Sequence, residues 1–275
     1  MWLIITLKNK PVFDEDTRKK GRTMSLLKKI HPEQPLKELR WFDIGIVTLI
    51  MFGQFIVSST QMYLASLTPS LSTAVSETAT NTASEGAAYS SNFTLQIILL
   101  ALAIIYLWIR HFDFKQLPIR LKWSVLFWVP FIFAIMGLFA DMVSTLSGQY
   151  NYFSPQVLAF ISPMAVIDKF VALSPMAIAY GLLNGFYEEF FFLGLLTSVK
   201  DKYKWLVLLF STIIRVSFHT YQGILWALVI GVAFGLLYYF LYKYKVKNLL
   251  PFFLVHALAD MFGSSLIYLL VNWNY

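Results

Sequence analysis

Two adjacent carboxylates, Glu188 and Glu189, lie inside an apolar run that otherwise has the composition of a membrane-spanning helix. A charged side chain near the centre of a bilayer costs at least about 2.5–3.5 kcal/mol on insertion scales, so two neighbouring glutamates need partners, water or a proton. Carboxylates in such a place indicate a functional site, and other parts of the chain must supply their partners.

The composition is that of a multi-pass membrane protein. Of the 275 residues, 58% are hydrophobic and only 13% are charged, which is about half the charged fraction of a soluble domain. The absence of cysteine excludes disulfides, thiol nucleophiles and cysteine-ligated zinc. The net charge of +7 is concentrated between apolar segments, so it indicates membrane topology, and no nucleic acid is expected as a partner.

Seven apolar segments predict an all-α polytopic bundle of about seven transmembrane helices. They lie at roughly 41–66, 93–110, 123–146, 171–198, 205–220, 223–242 and 249–271. The fifth and sixth are joined by a tight turn and should form a helical hairpin. Lysine and arginine occupy alternate connections, and the opposite connections hold only Lys169. The positive-inside rule therefore predicts a multi-pass protein of the cell membrane with a cytoplasmic N-terminus.

Three regions follow from this pattern. Residues 1–40 form a basic cytoplasmic segment, which should fix topology and touch anionic lipid headgroups. Residues 41–170 hold three helices, interpreted as structural, with external loops predicted at 68–92 and 147–170. The first of these loops is rich in serine, threonine and alanine and is predicted to be flexible. Residues 171–272 contain the polar residues that could do chemistry.

Three predicted helices of that last region place ionisable groups at similar depths. At 1.5 Å per residue from the lysine-rich connections, the depths are roughly 18 Å for Glu188, 16 Å for Arg215, 22 Å for His219, 10 Å for His256 and 16 Å for Asp260. Arg215 and His219 share a helix face at i,i+4, as do His256 and Asp260. Glycines on these helices allow the close approach that contact between the groups requires.

Such a set of side chains allows two kinds of hydrolysis. A glutamate can act as general base on water while the imidazoles hold the water and stabilise an oxyanion. Alternatively, Glu188, His219 and His256 could ligate a divalent metal such as zinc. Spacing alone leaves both open, together with a structural polar network and a proton or ion pathway. No cofactor is favoured.

The order of these motifs resembles the CPBP family (CAAX proteases and bacteriocin-processing enzymes, also called Abi), which carries EExxxR, FxxxH and HxxxN/D motifs on successive helices. The matching residues are Glu188-Glu189, then His219, then His256 with Asp260. The resemblance implies that Glu188 is the general base and His219 holds the water. It also implies that His256 and Asp260 form the oxyanion hole and that Glu189 is a supporting carboxylate.

Three positions depart from the family motifs. Leu193 stands where an arginine closes the first motif, and Arg215 stands where a phenylalanine opens the second. Because Arg215 has the predicted depth of the glutamate pair, we hypothesise that it replaces the missing arginine from the next helix. The third departure is Asp260, which can donate a hydrogen bond only when protonated. Either it is protonated or His256 carries the oxyanion role.

The sequence thus predicts an intramembrane endopeptidase that cleaves a peptide or membrane-protein substrate near the cytoplasmic half of the bilayer. The bacterial proteins it resembles suggest peptide processing or bacteriocin immunity, and no prenylated substrate follows from the sequence. The alternative is a catalytically impaired immunity or scaffold protein that keeps the helices and binds a partner. A transporter is disfavoured because no inverted repeat is visible.

Overall fold

A computed structural model describes residues 31–68 and 85–272. Every secondary-structure element of these residues is a helix, which confirms the predicted all-α class. In chain order they are α1 Trp41–Ser66, α2 Glu85–Ile109, α3 Ser124–Leu146, α4 Pro155–Leu158, α5 Met164–Ala172, α6 Pro175–Leu195, α7 Lys204–His219, α8 Ile224–Val246, α9 Leu250–Phe262 and α10 Leu266–Leu270.

Each of the seven predicted segments contains helix, although fewer than seven helices of the described residues have the length of a full span. Four helices of the described residues (α1, α2, α3 and α8) are long and apolar enough to cross a membrane. A fifth span arises only if α5 and α6, which meet at a bend of 101°, are taken together. Helix α7 has 16 residues and α9 has 13. The segment 249–271 is divided because Gly263, at φ 78°, ends α9.

Both predicted external loops contain helix, and a helix within 147–170 agrees with the interfacial helix that this loop could include. Helix α2 begins at Glu85, within the loop predicted at 68–92. The remainder of that loop, at 69–84, lies outside the described residues, as does most of the basic segment 1–40. The second loop, 147–170, contains α4 and the start of α5. The predicted hairpin of α7 and α8 is confirmed, with its turn at Gly223.

The lysine-rich connections meet at one end of the bundle. Residues 31–40, 110–123, 196–203 and 247–249 carry hydrogen bonds to one another across the ends of the helices. Three of these bonds are Leu36 N to His111 O (2.8 Å), Leu39 N to Ser198 O (2.7 Å) and Leu249 N to Pro118 O (2.8 Å). The connections that are rich in lysine and arginine therefore lie together at one end of the fold, and the connections that are poor in them lie at the other end.

Glycines bring the C-terminal helices into close contact. A Cβ atom on Gly185 of α6 would lie 2.4 Å from the carbonyl oxygen of Phe253 on α9, and one on Gly231 of α8 would lie 2.7 Å from the backbone nitrogen of Val216 on α7. Neither approach is open to a residue with a side chain, which is the usual reason for small residues between membrane helices. These two contacts hold α6, α7, α8 and α9 around a common centre.

Candidate active site

The two glutamates at the end of the α-helical part of α6 have different surroundings. Glu189 is fully buried, and Arg215 of α7 donates to both of its carboxylate oxygens, at 3.0 Å and 2.6 Å. The Nδ1 atom of His256 on α9 lies 2.8 Å from Oε1 of Glu189. One carboxylate thus joins three helices through a bidentate ion pair and an imidazole, which is a strong geometry for a buried charge.

Arg215 is held in place by its own environment. Its guanidinium lies over the ring of Phe192 at 3.9 Å, and Gly235 of α8 leaves room for its Cδ atom, which a Cβ there would approach to 3.2 Å. Leu193, which stands where the family motif has arginine, packs instead in an apolar cluster. The structure therefore places Arg215 against the glutamate pair, as the hypothesis of a relocated arginine requires.

Glu188 has an unused oxygen. The residue is 5% exposed, and its Oε1 atom accepts a bond from Asn184 Nδ2 at 3.3 Å. Its Oε2 atom is buried without a hydrogen-bond partner and lies 3.7 Å from His256 Nε2. A buried polar atom without a partner is costly and points to a ligand or water at that position.

His219 presents one ring nitrogen for chemistry. Its Nδ1–H donates to the carbonyl oxygen of Arg215 at 2.8 Å, one helical turn back. Because a carbonyl only accepts, this bond assigns the proton to Nδ1 and leaves Nε2 of a neutral imidazole as an acceptor. The ring is 6% exposed and lines the same cavity as Glu188.

His256 and Asp260 share one face of α9, as their i,i+4 spacing predicts. Their facing atoms, Nε2 and Oδ1, are 3.9 Å apart, and 23% of the Asp260 side chain remains accessible. The other carboxylate oxygen of Asp260 accepts from Asn184 Nδ2 at 2.9 Å. His256 thus lies among three carboxylates, those of Glu188, Glu189 and Asp260.

Two polar residues of the site were missed in the sequence. The amide of Asn184 donates to both Glu188 and Asp260, and its Oδ1 accepts from Gln96 Nε2 of α2 at 2.5 Å. Asn184 precedes Glu188 by one helical turn, a spacing that could have identified it. Gln96 had only its polarity within an apolar segment as a signal. Helix α2, interpreted as structural, therefore contributes a side chain to the site.

These residues line a cavity of about 1070 Å³, at the upper end of the range for ligand sites. Its inner wall includes Glu188, His219, His256 and Asp260, with aromatic side chains such as Tyr238 between them. A cavity of this size next to an unpartnered carboxylate oxygen has room for water and a segment of peptide.

The ligand set for a metal differs from the predicted one. Within the described residues, the group whose ligand atoms all lie within 4.8 Å of one another is Glu188, Glu189 and His256, and His219 is not part of it. Both oxygens of Glu189 are occupied by the Arg215 guanidinium. Two ligands then remain, fewer than the three protein ligands of a catalytic zinc site.

Fold and site together define a multi-pass membrane protein with a buried polar site between its helices. Residues 170–262, about a third of the chain, match the family model described as "Rce1-like: Type II CAAX prenyl endopeptidase Rce1-like". This match confirms the resemblance to the CAAX protease (CPBP) family and covers the site residues from Asn184 to Asp260. Neither a curated protein nor a solved structure matches the chain.

Proposed function

We propose that this protein is an intramembrane endopeptidase in which Glu188 activates water. The observation that carries the proposal is the unpartnered Oε2 atom of Glu188, which is buried, borders the large cavity and lies 3.7 Å from an imidazole nitrogen. A general base must reach the proton that it abstracts, and Glu188 lines the cavity and has one carboxylate oxygen without a hydrogen-bond partner.

In the proposed reaction, water bound between Glu188 Oε2 and His219 Nε2 attacks the carbonyl carbon of the scissile peptide bond. Glu188 takes one proton from the water as the carbon–oxygen bond forms and the carbonyl becomes an oxyanion. The carbon–nitrogen bond then breaks, and Glu188 returns the proton to the leaving amine. The products are a new carboxylate and a new amine, so water is consumed and the base is regenerated.

His256 is the better candidate for stabilising the oxyanion. In this role the ring is doubly protonated, so that its Nδ1–H donates to Glu189 and its Nε2–H can donate to the oxyanion. Asp260 accepts from Asn184 through Oδ2, and its Oδ1 lies 3.9 Å from His256 Nε2. We assign His256 to the oxyanion and Asp260 to holding Asn184 and His256. Preorganised donors of this kind are worth about 10²–10³ in kcat.

Glu189 and Arg215 are proposed as positioning residues. Their ion pair is fully buried, and Glu189 also holds Nδ1 of His256 at 2.8 Å. The pair therefore fixes the imidazole that serves the oxyanion. In this proposal Arg215 supplies, from α7, the charge that the family motif carries at the position of Leu193.

A metal-independent mechanism is favoured by the occupancy of Glu189. A metal bound by Glu188, Glu189 and His256 would have to displace Arg215, whose bidentate ion pair is buried. Removing one partner of such a pair costs about 3–5 kcal/mol. We therefore propose that Glu188 acts as a general base without a metal.

The substrate class is proposed to be a peptide or a segment of a membrane protein. Similarity to bacterial CAAX-like proteases supports a role in peptide processing or bacteriocin immunity, within the cell membrane and in contact with its lipids. The family name refers to prenylated proteins, and a prenylated substrate is not part of this proposal.

The test compares the wild-type protein with Glu188→Ala and His219→Ala on a fluorogenic peptide library, with and without a chelator. Asp201→Asn provides a matched loss of a carboxylate at the lysine-rich end, where the side chain is exposed. We expect cleavage by wild type and Asp201→Asn only, at equal membrane levels. An undiminished cellular phenotype in both site variants would support a non-catalytic immunity or scaffold protein instead.

A further inference from the structure

The cavity has a defined opening. Its deep walls are buried, and its exposed lining residues, Asp260 of the site apart, form a rim at one end of the bundle: Ser58, Met62, Asn92, Tyr221, Gln222, Gly263 and Tyr268. The lining includes no residue of the connections 110–123, 196–203 or 247–249.

This rim lies at the end of the bundle opposite the lysines. Helix α1 starts next to Arg40 and reaches the rim near its C-terminus, whereas α2 starts near the rim and ends next to Arg110. Helix α7 starts at Lys204 and runs into the rim at Tyr221. All three helices therefore have their basic end away from the opening.

Two of the site residues, His219 and Asp260, are closer to the rim than to the lysines. His219 follows Lys204 by 15 residues, roughly 22 Å of helix, but precedes Tyr221 by only two. Asp260 is three residues before Gly263, where α9 ends at the rim. These two residues thus lie within about one helical turn of the rim.

We infer that the cavity opens on the non-cytoplasmic side of the membrane and that Glu188 is reached from that side. The reason is the positive-inside rule, since the described connections at the far end carry Lys115, Arg120, Lys122, Lys200 and Lys202 among others, whereas Lys169 lies at the opposite end. This replaces the expectation, from sequence, of cleavage near the cytoplasmic half of the bilayer.

The inference narrows the substrate class and, in that respect, rests on the proposed function. The substrate would be a peptide segment exposed on the non-cytoplasmic face, such as an exported peptide or the outer flank of a membrane protein. The rim suits a polar backbone better than a lipid chain, because Asn92, Tyr221 and Gln222 offer amide and hydroxyl groups at its exposed edge. A peptide confined to the cytoplasm would not reach Glu188.

The chain contains no cysteine, so single cysteines can report the sidedness directly. Gln222→Cys places a thiol on the rim, and Leu121→Cys places one at the lysine-rich end, where Leu121 is 90% exposed and its loss leaves the charge unchanged. A membrane-impermeant maleimide is applied to intact cells and, in parallel, to permeabilised cells.

We expect Gln222→Cys to be labelled in intact cells and Leu121→Cys only after permeabilisation, with at least a tenfold difference in labelling. The reverse pattern, or equal labelling of both in intact cells, would overturn the inference. Ala259→Cys, in the cavity wall next to Asp260, tests whether water connects the site to the rim. A small impermeant thiol reagent should modify it from outside, and modification only after permeabilisation would refute access from that side.

An activity measurement separates this inference from the proposed function. The protein is placed in sealed right-side-out and inside-out vesicles, and a cleaved peptide from the library is added outside. Cleavage in right-side-out vesicles only supports the inference, and cleavage in inside-out vesicles only overturns it. If the labelling pattern holds while neither preparation cleaves any peptide, the opening stands and the endopeptidase assignment fails.

Discussion

Two buried ion pairs, one in the N-terminal helices and one in the C-terminal helices, differ in what surrounds them. In the first, Arg110 of α2 lies 2.6 Å from Asp43 of α1, and Asp43 also accepts from Tyr106 and from the backbone of Arg40. In the second, Arg215 binds Glu189, which also contacts His256. Both pairs join neighbouring helices by a bidentate or nearly bidentate contact.

The difference lies in what each pair adjoins. Asp43 has partners on both oxygens, and none of its described neighbours lines the large cavity. Glu189 is followed in the network by His256 and then by Glu188, which lines the cavity and whose buried Oε2 has no hydrogen-bond partner. A closed network stabilises helix packing, whereas a network with one open acceptor can bind and activate a ligand. Buried charge alone therefore does not distinguish structure from catalysis.

The largest expected effect is that of removing the open acceptor. Glu188→Gln keeps the shape of the side chain but not its basicity, so we expect cleavage to fall by about 10³-fold, within the usual range for general bases. Measured per folded molecule in detergent, the matched change Asp43→Asn should leave kcat within about twofold and lower the unfolding temperature instead. Retained cleavage by Glu188→Gln would reject Glu188 as the base.

Replacing each arginine in turn compares the roles of the two ion pairs. Arg215→Leu leaves Glu189 unpaired, and a buried pair broken in this way loses about 3–5 kcal/mol, so activity should be abolished. Adding Leu193→Arg should restore part of it by returning a guanidinium to the family's position. Arg110→Leu should reduce folded yield only, and Leu193→Arg should not rescue it. Absence of rescue in a folded Arg215→Leu protein would contradict the relocation of the arginine.

A substitution of Asn184 tests whether its hydrogen bonds position Glu188 and Asp260. Asn184→Ala removes donors to Glu188 and Asp260, and hydrogen bonds to charged groups are worth about 1.5–3 kcal/mol. We expect kcat to fall about 10- to 100-fold with a smaller change in KM and a shifted pH–rate profile. Asn92→Ala, an amide lost from the exposed rim, is the control. Equal effects of the two variants would argue against a positioning role.

A pair of glycines compares packing in the same two regions. Gly185→Ala brings a Cβ to 2.4 Å from a backbone oxygen of α9, and overpacking of this kind typically costs about 1–3 kcal/mol. Gly45→Ala in α1 meets nothing within 4 Å and should stabilise the helix by up to about 1 kcal/mol. Thermal unfolding in detergent measures both, and an unaffected Gly185→Ala protein would show that α6 and α9 can separate without loss.

The smallest expected effect is that of metal removal. Because Arg215 occupies both oxygens of Glu189, we expect a chelator to change cleavage by less than about twofold, with a known zinc protease as the positive control for chelation. A loss of cleavage that added zinc restores would replace the general-base mechanism by a metal-dependent one and would predict weaker zinc binding by Glu188→Gln.

The ionisable residues of the site could be predicted from the sequence because an isolated charge in a membrane costs free energy. Glu188, Glu189, Arg215, His219 and Asp260 stand out among apolar neighbours, and helical rise alone gave them similar depths. Asn184 and Gln96 could not be predicted in this way, because a neutral polar side chain in a membrane helix costs less free energy than a charged one. Hydropathy predicted seven apolar segments but could not predict the bend before α6 or the break at Gly263, which shorten the helices.

What the sequence by itself determined is the all-α class, the basic end of the bundle and the set of ionisable groups, since each follows from composition, spacing and the cost of charge in lipid. Only the tertiary structure decided that Arg215 pairs with Glu189 and that one carboxylate oxygen of Glu188 has no hydrogen-bond partner. It also decided that the cavity opens away from the lysines. These depend on how Gly185 and Gly231 let helices distant in sequence approach, and no pattern along one helix encodes the distance between two.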